Sequence, residues 1–449
     1  MTGDSHPDRA VEAVLPEDLE ITPQPQPVEA PPPDVRPAEA AEDRGALAFL
    51  KVFRHRNYRL FFTGQLVSLM GTWITNVTQG WLVYSLTHSP LLLGITSFAG
   101  SVPVFFFSAF GGAIADRFDY RRSLFITQAL ACLQSAALAV LTLTGLIQVW
   151  QIVALALFQG FINAFDVPIR QAMTVEMVGR EDLRHAISLN SMMFNLARVI
   201  GPSIGGILIA LVGVGICFSI DAFSYAAVIA SLYFMHFPAR AARKHSAPLK
   251  AIAEGFAYVW NEREIRASLI LIAICSAFGA AYLSLLPAFA RDVLHQGSEG
   301  LGFLYTGVGA GAFLGAYALA RVPDRHLFVT PVMAALGFGI SLILFSQSRW
   351  FGLSLVLLIP AAFSLMLLGG STNSIVQLLA RDDMRGRVVA IYAMGFLGMM
   401  PWGSLILGWA AEHLGTGRAV ALGGCICILA AGIAWNDRRS ANWKLKAAE

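Results

Sequence analysis

The chain has 449 residues, 56% of them hydrophobic and only 14% charged, with a formal net charge of +3 and mean hydropathy of +0.61. Soluble domains carry roughly 45–50% apolar and about 25% charged residues. This composition excludes a soluble domain and describes an all-α protein that crosses a bilayer many times.

Residues 1–45 are a separate material, with nine prolines, many Ala and Glu, and hardly an aromatic. Such a segment cannot build a core and is expected to form a disordered cytoplasmic tail. It lacks the apolar stretch of a signal peptide. Pro31, Pro32 and Pro33 offer a docking segment as an alternative role.

A membrane-spanning helix needs about 20 apolar residues. Twelve candidates follow, near 60–86, 91–114, 123–146, 149–171, 186–212, 214–236, 267–290, 300–321, 327–347, 350–379, 387–411 and 418–435. Alternate connections are basic: Arg117, Arg121 and Arg122, then Arg180 and Arg184, Arg240 to Lys250, Arg321 and Arg325, and Arg381 to Arg387. The other side carries only Arg291, Arg349 and Arg418. Basic loops stay cytoplasmic, so both termini are expected inside. The five cysteines lie in apolar spans without metal spacing and read as packing residues; no metal and no cofactor is expected.

Between spans 2 and 3 lies the charged loop Gly112-Ala-Ile-Ala-Asp116-Arg117-Phe-Asp119-Tyr-Arg121-Arg122. Asp116 is placed to cap a neighbouring helix and to pair with an arginine, Arg385 or Arg387 at the start of span 11. In span 5, Gly201-Pro202-Ser-Ile-Gly205-Gly206 strips side chains from one face and breaks one backbone hydrogen bond. It therefore permits close helix approach and a bend.

Charge within a span costs about 2.5–3.5 kcal/mol on insertion scales unless paired. Arg198, halfway along span 5, thus needs a partner or a watery cavity. The intramembrane acids are Asp166 and Asp221. Asp166 with Arg170 is either a surface-level helix pair or part of a proton-coupling network, and Asp221 is either interfacial and solvated or part of that network.

The chain also repeats itself. Arg180-Glu-Asp-Leu-Arg184 recurs as Arg381-Asp-Asp-Met-Arg385, and the 112–122 loop has a weak echo at 315–325. A parallel repeat implies two six-helix units about an axis along the membrane normal. The expected units are 46–236 and 267–436, joined by a linker at 237–266 and followed by a cytoplasmic tail at 437–449. Leu249, Ile252, Phe256, Val259 and Trp260 recur at helical spacing, which predicts an amphipathic linker helix on the inner leaflet. There is no HExxH, nucleophile elbow, phosphate loop or His cluster, so an enzyme is not expected.

The 112–122 loop resembles the helix 2–3 loop of the major facilitator superfamily, Gly-x-x-x-Asp-Arg-x-Gly-x-Arg-Arg, except that Asp119 replaces the second glycine. The Gly-Pro run resembles the antiporter motif of the superfamily's exporters. Phe158 to Gln171, Leu189 to Arg198 and Gly71 to Thr87 are similar to the branch holding enterobactin-type siderophore exporters and macrolide efflux proteins. The resemblance implies twelve helices in two pseudo-symmetric bundles, a gate at Asp116, and a cavity lined by spans 1, 4, 7 and 10. It makes Gln65, Asn76, Gln79, Asn163, Tyr282, Asn373 and Gln377 the polar cavity candidates, with Trp73, Trp81 and Phe363 as apolar ones. Ala156 stands where drug–proton antiporters often place an arginine, so their relay does not transfer.

The expected function is inner-membrane export of an amphiphilic small molecule, a siderophore or drug, by proton antiport through a monomer embedded in the lipid bilayer. No nucleic-acid partner is expected. Uptake by proton symport and a transporter-like scaffold or sensor are the alternatives.

Overall fold

In the computed structural model the described residues are 48–115, 119–179, 181–235 and 248–440. Gly112 lies in a helix, while Asp116, Arg117 and the 1–45 tail lie outside the described residues.

A short 3₁₀ turn, Ala48–Arg54, leads into α1 (Arg56–Thr87). The first half continues with α2 (Pro90–Ala115), α3 (Tyr120–Leu143), α4 (Val149–Val178), α5 (Leu183–Val212) and α6 (Val214–Phe234). A linker helix, Pro248–Asn261, precedes the second half. That half comprises α7 (Arg263–Val293), α8 (Ser298–Leu319), α9 (Thr330–Gln347), α10 (Phe351–Leu379), α11 (Arg385–Leu414) and α12 (Thr416–Ser440).

Among the described residues, eleven helices are long and apolar enough to cross a membrane. The twelfth span, α1, has the length, 32 residues, but not the apolarity. Its polar side chains are spent inside the protein: Gln65, Ser68, Thr75 and Thr78 are all buried. Lipid does not have to accept them, which is how a polar helix can hold a spanning position.

The two halves pack alike. In the first, α2 lies on α4, α3 on α4 and α6, and α1 on α5 and α6. In the second, α8 lies on α10, α9 on α10 and α12, and α7 on α11 and α12. The α5–α6 and α11–α12 connections are each a single glycine, Gly213 at φ +83° and Gly415 at φ +90°. No other residue type adopts that backbone readily. The same turn thus recurs at the offset of the Arg180 and Arg381 loops.

Two helices of the second half are interrupted. Cys275–Ala280 and Phe289–Val293 in α7, and Met394–Gly398 in α11, are π-helical turns. Each inserts extra backbone into the helical ladder and so bends or weakens it locally. Ser276 Oγ donates to the Phe396 carbonyl, joining a π turn of α7 to that of α11.

Candidate transport site

The halves meet along two seams, α5 against α8 and α2 against α11. On both seams the closest approaches fall at glycines. A Cβ on Gly206 would lie 2.8 Å from Gly302 Cα, and one on Gly309 would lie 2.8 Å from Val199 Cα. Ser203 and Thr306 share a hydroxyl hydrogen bond between them. On the other seam a Cβ on Gly408 would lie 3.2 Å from Gly94 Cα, while Phe98 and Trp402 meet edge to face with centroids 4.9 Å apart. These approaches run from the end opposite the basic loops to mid-helix.

Polar contacts across the halves reinforce that same end. Tyr84 Oη donates to Asp292 Oδ2, and Ser89 Oγ donates to Glu412 Oε2 at 2.8 Å. The Leu91 amide reaches the same Glu412 oxygen at 3.2 Å, and the Arg291 guanidinium lies 6.0 Å from the Trp81 ring centroid. Composition and motifs gave no pointer to Asp292 or Glu412. The available signal was an acid beside each of two connections on the sparsely charged side.

The Gly-Pro motif serves two faces of α5. Gly201 and Gly205 press on α1, where added Cβ atoms would lie 2.6 Å from Trp73 Cβ and 3.2 Å from Ile74 Cα. Gly206 faces α8, and Pro202 is buried within α5.

Both intramembrane acids are buried. Asp166 accepts from Thr127 Oγ1 at 2.7 Å and Gln128 Nε2 at 2.8 Å, and pairs with Arg170. With a side chain only 2% exposed it is not a surface-level pair, because α3 covers it. Asp221 is not interfacial either: it is 1% exposed and accepts from Ser135 Oγ at 2.7 Å and Ser224 Oγ at 3.4 Å. Its described partners are hydroxyls and not cations. Arg198 sits midway along α5, half-buried, in electrostatic range of Tyr282.

The cavity candidates are divided. Gln65 is buried with Oε1 unpartnered. Asn76 is exposed and Gln79 half-buried on α1. Asn163 accepts from Gln159 Nε2, and Asn373 from Gln377 Nε2, each at 3.2 Å within one helix. Tyr282 is 1% exposed, with its hydroxyl unpartnered.

At the basic end, Asp119 caps α3. Its side chain accepts from the Arg122 amide at 2.7 Å, and its φ is −64°. The position needs no left-handed backbone, and the acid contributes a helix cap there. Arg121 donates to the Leu232 and Tyr233 carbonyls at 2.6 and 2.7 Å, tying down the end of α6, while the Arg122 side chain is exposed. Of the arginines matched to Asp116, Arg385 pairs with Asp382 at 2.7 Å and Arg387 with Glu254 of the linker helix at 2.6 Å.

Comparison with known proteins decides the family. Residues 47–448 match the model of a family described as transmembrane secretion effector, within the major facilitator superfamily. The chain belongs to that family. It is 29% identical over 380 residues to the staphyloferrin A transporter of Staphylococcus aureus (strain NCTC 8325 / PS 47), covering 82% of this chain and 94% of that one. The multidrug efflux pump Tap of Mycolicibacterium fortuitum is 29% identical over 353 residues, covering 75% and 85%. The enterobactin exporter EntS of Shigella boydii serotype 4 (strain Sb227) is 26% identical over 280 residues, covering 62% and 65%. Among solved structures, the nucleoside transporter NupG superposes with a TM-score of 0.66 at 12% identity, covering 86% of this chain and 100% of that one. That likeness carries the major facilitator fold alone. The chain is a multi-pass membrane transporter of small molecules.

Proposed function

We propose that this transporter exports an amphiphilic small molecule, a siderophore or a drug, across the inner membrane by proton antiport and alternating access. The observation that carries the reading is the pair of seams with close glycine approaches, reinforced among the described residues by polar contacts between the halves at the end opposite the basic loops. If the basic end is cytoplasmic, as the distribution of Arg and Lys supports, the site faces inward to collect cargo. Glycines at both seams let the two units come close and rock against each other, with Phe98 on Trp402 as a bulky contact of the second seam. The names of the relatives support the cargo class.

In this reading Asp221 carries the exchanged proton, since hydroxyl donors leave its charge uncompensated within the membrane. Asp166 and Arg170 form a charge-neutral network beside it. Gly201, Pro202, Gly205 and Gly206 are the pivot between α1 and α8, and the Gly112–Arg122 loop is the inner gate. The boundaries 46–236 and 267–436 mark the two moving units.

The test is metabolite profiling of a deletion strain, cells and medium separately, with and without iron. A compound that accumulates inside and vanishes outside supports export. A medium component that stops being consumed reverses the direction. For coupling, Asp221→Asn in proteoliposomes should remove the dependence of cargo flux on an imposed pH gradient; unchanged dependence removes Asp221 from the mechanism.

A further inference from the structure

Helix α11 is not one rod. It runs as Arg385–Ala393, the π turn Met394–Gly398 and Met400–Leu414, with Met399 outside the helical pattern between the last two. The segments on either side of this joint have different neighbours. Met400–Leu414 lies on α2 of the first half as well as on α7 and α12. Arg385–Ala393 lies on α10 and the linker helix, with Tyr392 Oη donating to the Gly369 carbonyl at 2.9 Å. The π turn is pinned within its own half: Ser276 of α7 donates to the Phe396 carbonyl, and a Cβ on Gly369 would lie 3.1 Å from Phe396 Cζ.

Another wall of the joint comes from the other half. A Cβ on Gly398 would lie 2.6 Å from Phe105 Cε2, closer than side-chain carbons approach, so only glycine leaves room for the ring. Phe105 continues the stripe of Gly94 and Phe98, by which α2 meets Met400–Leu414. From Pro90 to Phe105 is about 22 Å of helix, which sets the contact at mid-depth. The other seam repeats the arrangement: Val199 lies over Gly309, roughly 20 Å of helix from Val212. There the glycine sits in an uninterrupted helix, Ser298–Leu319. In α11 it ends a π turn. One socket is continuous and the other is jointed.

A π turn carries extra backbone, so its hydrogen bonds are irregular and the helix bends there readily. Such a joint keeps one shape only while its walls hold it. Ser276 and Gly369 move with the second half, whereas Phe105 belongs to the half that parts from it. We infer that α11 hinges at Met394–Met399 during transport, and that Phe105, seated on Gly398, is the positioning residue that holds the hinge in the form seen here. Parting of the seam frees the joint, so that Met400–Leu414 turns while Arg385–Ala393 stays on α10. This inference rests on the transport reading and adds to it a moving joint within the second half.

The experiment is hydrogen exchange, read by mass spectrometry, on the full chain in lipid nanodiscs. Phe105→Ala should speed exchange of the amides from Met394 to Trp402 by about fivefold or more. Gly398→Leu fills the socket so that the ring cannot seat. It should do the same, and should also speed exchange where α2 and α11 meet opposite the basic loops. Gly398→Ala serves if leucine prevents folding. Phe105→Ala combined with Gly398→Leu should return these amides to within about twofold of wild type, since the leucine takes the place the ring vacates. A readout of state separates positioning from packing. Asp292→Ala with Glu412→Ala, which releases the end opposite the basic loops, should by itself speed exchange at the joint, and adding Phe105→Ala should then change it little. Joint amides at wild-type rates in Phe105→Ala, a combined variant worse than either single one, or latch and Phe105 effects that simply add would overturn the hinge. Hydrogen exchange needs no cargo. Normal export beside an unresponsive joint would overturn the hinge alone, and a responsive joint without export in the deletion strain would refute the export reading alone.

Discussion

Asp119 and Asp182 do the same kind of work at two corners of the basic end. Asp119 holds the first turn of α3. Asp182, just before α5, accepts from His55 Nε2 at 2.7 Å and Arg54 Nη2 at 2.8 Å, pinning the 3₁₀ turn to the α4–α5 connection. Asp119→Ala should cost about 0.5–2 kcal/mol in stability, read as a lower melting temperature, with membrane insertion unchanged. The hydrogen bond from His55, and then the Arg54 charge, lower the pKa of Asp182. A carboxyl group more acidic when folded than when unfolded adds stability above its unfolded pKa, about 3.9, and loses it as pH falls through the folded value. Wild type should therefore melt above Asp182→Asn at pH 7, and the gap should close as the pH is taken below about 4. A gap independent of pH would mean that the pair adds nothing through its charge. The residue types at both corners were legible as turn chemistry. The partners of Asp182 were not, because Arg54 and His55 lie more than a hundred residues away in the chain.

At the scale of elements, the helices were legible because apolar length and basic loops mark them independently. The linker helix was legible too, from its spacing of Phe256, Val259 and Trp260. Val259 is buried while Phe256 and Trp260 remain exposed, as an interfacial helix requires. Its docking partner was not legible: Glu254 takes Arg387, and a Cβ on Gly255 would lie 3.1 Å from Arg387 Cβ. The π turns of α7 and α11 left no trace in sequence, and the contact between two of them, Ser276 donating to the Phe396 carbonyl, joins residues 120 apart. The α1–α6 interface shows what small residues do inside one bundle. A Cβ on Gly71 would stand 2.6 Å from Asp221 Oδ1 and 3.0 Å from Ser224 Cβ. Gly71→Leu should destabilise by about 1–3 kcal/mol through overpacking, read by thermal unfolding of the purified protein. Gly386, with open space around it, should tolerate alanine with no measurable change.

For the whole molecule the balance of interest is between states closed at opposite ends. Tyr84 with Asp292, and Ser89 and the Leu91 amide with Glu412, favour the state seen here. These groups face one another only while the halves meet at that end, so removing them weakens one state without touching the interior of either bundle. A hydrogen bond to a charged group contributes about 1.5–3 kcal/mol net. Losing two such links from one state but not the other should shift the equilibrium by about tenfold or more toward opening at that end. The variant Asp292→Ala with Glu412→Ala should therefore show faster hydrogen exchange at the meeting ends of α1, α2, α7 and α11. Exchange in the buried middle of α3 and α9 should stay at the wild-type rate. Equal exchange at all these sites would mean that the glycine seams alone set the balance. Uniformly faster exchange would mean that the latch supports the fold and not the choice between states.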